Sequence, residues 1–175
     1  METANSLIYL SLVHLVMSLL LSIVVLYATF RIIKSKVIDK HDVPYTNMAF
    51  AILCAAILFS VAYLIADVKD PIVNTVRLLQ RQSGMNMGFF MESARYIGLF
   101  LFIALVVIFT VIGSSFYLFS VMTSGIDELK EIKDENVAVS IIVSVIIISV
   151  SMIVKDSMLL LLEALMPYPE YPLVL

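Results

Sequence analysis

Four ionisable side chains lie within or at the ends of long apolar segments, where a charge is costly and therefore informative. They are His14, Asp67, Lys155 and Asp156. Groups of these types at such depths can conduct protons or ions. For His14 we expect a neutral imidazole bonded to a neighbouring helix, with a proton relay as the alternative. Asp67 and Asp156 each follow an apolar run of about one membrane thickness, so we expect each to end its helix at the outer interface.

The elements that must position these groups are apolar segments at about residues 7–33, 48–66, 96–122 and 137–154. The chain is 62% hydrophobic and 14% charged, with a mean hydropathy of +1.06, which is outside the range of soluble domains. Each segment can cross a ~30 Å hydrocarbon layer as a helix and is too long for the ~10-residue strands of a barrel. The sequence therefore predicts an all-α membrane protein with four transmembrane helices. The first segment lacks a basic start and exceeds a signal-peptide core, so we expect it to be retained.

An internal duplication relates the second and fourth segments at an offset of 89 residues. Seven of 21 aligned positions are identical, beginning at Asn47 and Asn136 and ending at Asp67 and Asp156. Such self-similarity indicates a repeat, here two tandem, parallel two-helix units. We predict a first helical-hairpin repeat over 1–82 with a short outer amphipathic segment, a loop over 83–95, a second hairpin repeat over 96–166, and an extended proline-rich tail over 167–175.

Lysine and arginine near the ends of the segments predict the orientation. The first and third loops carry more of these residues than the segment ends on the other side, and the contrast is greatest around the first segment. Both termini are therefore predicted to lie outside the cytoplasm. The acidic run over 127–135 is expected to be solvated at the cytoplasmic edge and could dock a basic protein partner.

The stretch Ile126-Asp-Glu-Leu-Lys-Glu-Ile-Lys-Asp-Glu-Asn136-Val-Ala138-Val139 resembles the start of the fourth helix in the YjfL-like bacterial inner-membrane proteins, the DUF350 family. The resemblance implies a tandem duplication of a two-helix unit and an Asn-x-Ala signature that opens the second helix of each unit. It also implies a location in the bacterial inner membrane. The family has no established biochemical role, so the resemblance implies no site residues.

Small side chains recur on one face of each duplicated helix. They are Ala51, Ala55, Ala62 and Ala66 in the first copy, and Ser140, Ser144 and Ser151, followed by Lys155, in the second. Small residues at helical spacing let two helices approach closely in lipid, so they predict a packing seam between the second and fourth segments. The alternative is that the serines line a wet path. Since Lys155 corresponds to Ala66 in this seam, we also expect an ion pair between Lys155 and Asp67.

Asn47 and Asn136 lie where the duplicated helices begin. An asparagine side chain there caps a helix by accepting from its free amides, which stabilises it by about 1 kcal/mol. Capping is the simpler explanation of both residues. A polar cytoplasmic entrance is the alternative.

The sequence contains no nucleophile and base arrangement, phosphate-binding loop or metal-ligand spacing, and we expect no catalysis and no cofactor. A single cysteine, Cys54, excludes an intramolecular disulfide, and no basic stripe suggests nucleic-acid binding. We predict a non-catalytic membrane scaffold or accessory subunit that contacts the lipid bilayer and forms a homo-oligomer. The alternative is a small ion or proton channel or transporter that uses His14, Asp67, Lys155 and Asp156.

Overall fold

The computed structural model describes residues 2–35, 43–44, 46–83, 86–123 and 128–167, and within these ranges the regular elements are helices with no strand. The helices are α1 (Glu2–Ile33), α2 (Met48–Ser83), α3 (Met87–Met122), α4 (Glu128–Lys133) and α5 (Val137–Ala164). The predicted all-α class is confirmed for this part of the chain.

Among the described residues, three helices are long and apolar enough to cross a membrane, namely Met48–Arg81 of α2, the whole of α3 and the whole of α5. In α1, the apolar stretch Ser18–Ile33 is shorter. Many large apolar side chains on these helices face outward; for example, Phe102 is 65% exposed and Ile153 is 77% exposed. Such extended apolar surface fits a lipid environment.

α2 is the central helix and packs against α1, α3 and α5. Its contact with α5 is the most extensive contact between two helices. α3 contributes a single buried stripe to the core: Phe89, Ser93, Phe100, Ala104, Ile108, Val111, Ser115 and Phe119. The spacing of three, four or seven residues is that of one helix face. The core therefore lies around α2, and the outer faces of α3 and α5 remain apolar.

The predicted end of the second helix at Asp67 is wrong, because α2 continues to Ser83 with Pro71 inside it. Proline lacks an N–H, so the Asp67 carbonyl receives no helical bond from position 71. Beyond Asp67, the helix keeps a buried stripe formed by Val68, Ile72, Thr75 and Leu79. Packing of this stripe outweighs the cost of the proline, and the predicted outer amphipathic segment is part of α2.

The predicted loop over 83–95 is also mostly helical. α3 begins at Met87, where the Asn86 side chain accepts a 2.8 Å hydrogen bond from the Phe89 amide. This cap allows the apolar residues after it to enter the helix. α5 is continuous over 28 residues, about 42 Å, so the expected end of this helix at Asp156 is wrong as well. Apart from Pro167, the predicted extended tail lies outside the described residues.

Candidate functional site at the contact of α2 and α5

Two serine hydroxyls of α5 bond to the backbone of α2. Ser140 Oγ donates to the carbonyl oxygen of Ala49, and Ser144 Oγ donates to that of Ile52 over 3.5 Å. Both serines are buried. A helical carbonyl has a second lone pair that can accept such a bond, provided that the two helices lie close together. The serines thus hold α5 against the backbone of α2.

An ion pair joins the same two helices nearer their other end. Lys155 Nζ lies 3.2 Å from Asp67 Oδ2, and their side chains are 21% and 26% exposed. The ammonium also lies 4.2 Å from the centre of the Tyr63 ring, whose face attracts a cation. This is the ion pair expected from the correspondence of Lys155 with Ala66. Tyr63 was missed by sequence reasoning, although its position four residues before Asp67 places it on the same helix face.

The polar contacts also fix the relative direction of the helices. Their partners are 91 and 92 residues apart for the two hydrogen bonds and 88 residues apart for the ion pair. Because the separation stays nearly constant along both helices, α2 and α5 run in the same direction. Their axial register follows the 89-residue offset at which their sequences align.

Asn47 connects the start of α2 to the end of α4. Its Oδ1 accepts from the Phe50 amide at 2.8 Å, which caps α2. Its Nδ2 donates to the carbonyl oxygens of Ile132 at 2.7 Å and Lys133 at 3.3 Å, which belong to the last turn of α4, where the helix no longer supplies an amide four residues further on. The side chain is fully buried. Asn47 is therefore both a helix cap and a link between distant segments, and no pattern in the sequence indicates the link.

The side-chain hydrogen bonds of Asn136 to the described residues are local. Its Oδ1 accepts from the Val139 amide at 3.3 Å and its Nδ2 donates to Glu131 Oε2 at 2.7 Å. The backbone before it turns through Glu135, which has a φ of 62°. The Glu135 amide donates to the Ile132 carbonyl and the Asn136 amide donates to the Glu131 carbonyl. This is the Schellman ending of a helix, in which glycine usually occupies the left-handed position.

The prediction that the alanines of α2 pack against α5 is wrong. Ala51, Ala55, Ala62 and Ala66 are all exposed, whereas Ser140, Ser144 and Ser151 on α5 are buried. Ser151 Oγ donates to its own helix, at the Ile147 carbonyl. The face that α2 presents to α5 contains Ala49, Ile52, Tyr63 and Asp67 instead. Bulky residues such as Leu53 and Leu64 must be buried in the core, and their burial rotates the alanines outward.

The four candidate ionisable groups do not form one cluster. Asp67 and Lys155 are paired, whereas Asp156 is exposed on a different side of α5. His14 belongs to α1, and its side chain lies outside the described part of the structure. Of these four groups, those with described side chains thus form a charge pair between α2 and α5 and a separate exposed carboxylate.

The family of the chain follows from a match over most of its length. The family model described as Domain of Unknown Function (DUF350) matches residues 2–158. The chain belongs to the DUF350 family. The match confirms the resemblance seen in the sequence, and it covers α1 to α4 together with the part of α5 that carries Lys155. No curated protein and no solved structure matches the chain.

The described part of this DUF350 protein offers few groups for chemistry beyond these contacts. No three His, Cys, Asp or Glu side chains in it lie together in a way that could hold a metal ion. A cavity of about 240 Å³ lies between α1, α2 and α3 and is lined by apolar side chains such as Ile33, Leu53 and Ile108. Its lining supplies no acid or base. The arrangement at α2 and α5 can pair charges, cap helices and fix helix register.

Proposed function

We propose that the chain is a non-catalytic scaffold or accessory subunit of the bacterial plasma membrane that acts as a homo-oligomer. The observation that carries this proposal is the ion pair between Lys155 and Asp67. An ammonium and a carboxylate 3.2 Å apart neutralise each other, and this pairing offsets the cost of placing charges beside apolar surface. Two of the four groups that could move an ion, Asp67 and Lys155, thereby hold α2 against α5.

In the proposed protein the chain crosses the membrane four times, as two like-oriented hairpins. α1 with α2 would form the first hairpin, and α3 with α5 the second. The parallel, in-register contact of α2 with α5 and the identities at an offset of 89 residues support this arrangement. α1 has 32 residues, a length of about 48 Å, and is the remaining helix available to cross.

We further propose that both termini lie outside the cytoplasm. The distribution of positive charge supports this orientation. The first loop region has Arg31, Lys34, Lys36 and Lys40, and the third has Lys130 and Lys133. Lipid would cover the exposed apolar faces, and a protein partner would meet the cytoplasmic loops.

A small ion or proton channel is the second candidate, and one observation favours it. The hydroxyls of Ser60, Thr75 and Ser93 are buried and have no hydrogen-bond partner among the described residues. Buried polar groups are usually satisfied by protein or ordered water. A hydrated path near the Asp67 carboxylate would account for the Ser60 hydroxyl, with His14, Lys155 and Asp156 as further participants.

Ion flux in proteoliposomes separates these two functions. The purified chain is reconstituted, proton and K⁺ gradients are imposed, and dissipation is compared with that in protein-free liposomes. The scaffold predicts equal rates. Faster dissipation would contradict it, and loss of that flux in Asp67→Asn or Asp156→Asn would support the channel. Glu163→Gln is the control, since Glu163 is exposed beyond the ion pair.

A further inference from the structure

The sequences of α2 and α5 align at an offset of 89 residues. Two faces of α2 therefore each have a counterpart on α5. The alanine face of α2 consists of Ala51, Ala55, Ala62 and Ala66, and it corresponds to the serine face of α5, which consists of Ser140, Ser144, Ser151 and Lys155. The first aspartate face, on α2, consists of Ala49, Ile52, Ala56, Ser60, Tyr63 and Asp67. The second aspartate face, on α5, consists of Ala138, Ile141, Val145, Ser149, Met152 and Asp156.

Within the chain, the serine face of α5 packs on the first aspartate face of α2. The hydrogen bonds from Ser140 and Ser144 to α2 carbonyls lie in this contact, and so does the ion pair of Lys155 with Asp67. All ten residues of these two faces are buried or partly buried. The two helices therefore meet through unlike faces, although they are related in sequence.

The two remaining faces are exposed without exception. All four residues of the alanine face are exposed, and so are all six of the second aspartate face. In the latter, Val145 and Met152 are each 56% exposed and Ile141 is 48% exposed. Each corresponds to a residue that is buried or partly buried in the first aspartate face. Each of the two faces that pack together inside the chain thus has a sequence counterpart that is exposed.

We infer that a second copy of this chain occupies these faces. The alanine face on α2 of one copy packs on the second aspartate face on α5 of the next, and so repeats the internal contact between chains. This inference rests on the homo-oligomer of the proposed function and identifies its interface. The contact within the chain is the argument for this occupant. Its two faces are the sequence counterparts of the two exposed faces, and they pack on each other in register.

The chemistry of the exposed faces fits such a contact. Alanines at helical spacing permit the close approach of backbones that stabilises helix pairs in lipid. Because the joined faces are unlike, the contact is heterologous and closes into a ring or continues as a row. Ala66 stands where the internal contact has Lys155. Lys69, one turn further along α2, is the nearest cation on that helix to Asp156 of the neighbouring copy.

Cysteine cross-linking tests this geometry in membranes. Two differently tagged, full-length chains carry Cys54→Ala, and one also carries Ala51→Cys while the other carries Ala138→Cys. These positions correspond to Ser140 and Ala49, which touch inside the chain. We expect a cross-linked product that contains both tags. Chains that both carry Ala51→Cys, or both carry Ala138→Cys, should give none.

The control pair replaces Ala51→Cys with Phe102→Cys, on an outward face of α3 that is 65% exposed, and should not cross-link. A product from two chains with the same substitution would indicate like faces and overturn the inference. Absence of the mixed product from chains whose native mass exceeds that of a monomer would also overturn it, while leaving the oligomeric scaffold intact. A monomeric native mass would overturn both. Flux, measured separately, tests the non-conducting role.

Substitution at the alanine face gives an independent measurement. Ala55→Phe should reduce the native mass in lipid nanodiscs to that of a single chain and leave the far-UV circular dichroism unchanged. Ala94→Phe is the matched control, because Ala94 on α3 is also an exposed alanine. This variant should keep the wild-type mass. An unchanged mass for Ala55→Phe would contradict the interface.

Discussion

Lys155 Nζ approaches Asp67 Oδ2 to 3.2 Å across the contact of α2 and α5. At the other end of the same contact, Ser140 Oγ bonds to the Ala49 carbonyl. The two points on α2 are separated by 18 residues, or about 27 Å of helix. The helices are therefore fixed at both ends of a stretch that is about as long as the hydrocarbon layer is thick. An axial shift of either helix would break both contacts.

Removal of the Lys155 ammonium should destabilise the protein more than loss of an exposed charge. Lys155→Ala leaves the Asp67 carboxylate beside the Tyr63 ring without its cation, and an unpaired charge in such a place is costly. We expect a lower midpoint of unfolding in a denaturant titration of the detergent-solubilised protein. The double variant with Asp67→Asn should recover most of the loss, because the stranded charge is then absent.

The control for this cycle is Asp156→Asn, which removes a carboxylate from the adjacent, exposed position. It should change the free energy of unfolding by less than about 0.5 kcal/mol. If the effects of Lys155→Ala and Asp67→Asn simply added, the two side chains would not interact energetically. The ion pair would then be a contact without consequence for stability.

The two equivalent asparagines should differ in their importance. Asn47→Ala removes a helix cap and two donors to the carbonyls of Ile132 and Lys133 at a fully buried site. We expect it to lower the free energy of unfolding by about 2–4 kcal/mol. Asn136→Ala removes a partly exposed cap and should lower it by about 1 kcal/mol. Equal losses in the same titration would show that the link from Asn47 to α4 contributes nothing.

The ion pair could be predicted because the sequences of α2 and α5 align at an offset of 89 residues, which suggests an axial register for the two helices. Once Lys155 was matched with Ala66, an in-register pairing placed its ammonium near Asp67. The rotation of α2 could not be predicted in the same way. Its alanines suggested a close contact, but burial of Leu53 and Leu64 in the core turns a different face toward α5.

The length of α2 is a second case in which long-range packing overrides a local signal. Asp67 followed by Pro71 reads as the end of a membrane helix, since proline removes a helical hydrogen bond. The buried residues Val68, Ile72 and Leu79 continue the helix stripe beyond that point. Helix propensity is a weak predictor where tertiary contacts compensate for it. The link from Asn47 to α4 likewise depends on a contact between segments 85 residues apart.

Glu135 occupies a backbone conformation that favours glycine. Its φ of 62° lies in the left-handed region at the end of α4, where a side chain costs about 1 kcal/mol. Glu135→Gly should therefore raise the free energy of unfolding by up to about 1 kcal/mol, partly offset by the greater flexibility of glycine in the unfolded chain. Asp134→Gly removes the same charge one residue earlier, where φ is not positive, and should be destabilising. Stabilisation by both variants would attribute the effect to charge and not to backbone conformation.

Ser144 and Ala55 provide the last prediction, because they align at the offset of 89 residues but lie in opposite environments. Ser144 is buried against the α2 backbone, whereas Ala55 is exposed. Ser144→Phe must insert a ring where two helices touch, and such overpacking typically costs about 1–3 kcal/mol or more. Ala55→Phe, measured at a detergent dilution at which the native mass is that of a single chain, should change the free energy of unfolding by less than about 0.5 kcal/mol. If Ala55→Phe were as damaging as Ser144→Phe under those conditions, the alanine face would lie inside the folded chain, and the orientation of α2 described above would be incorrect.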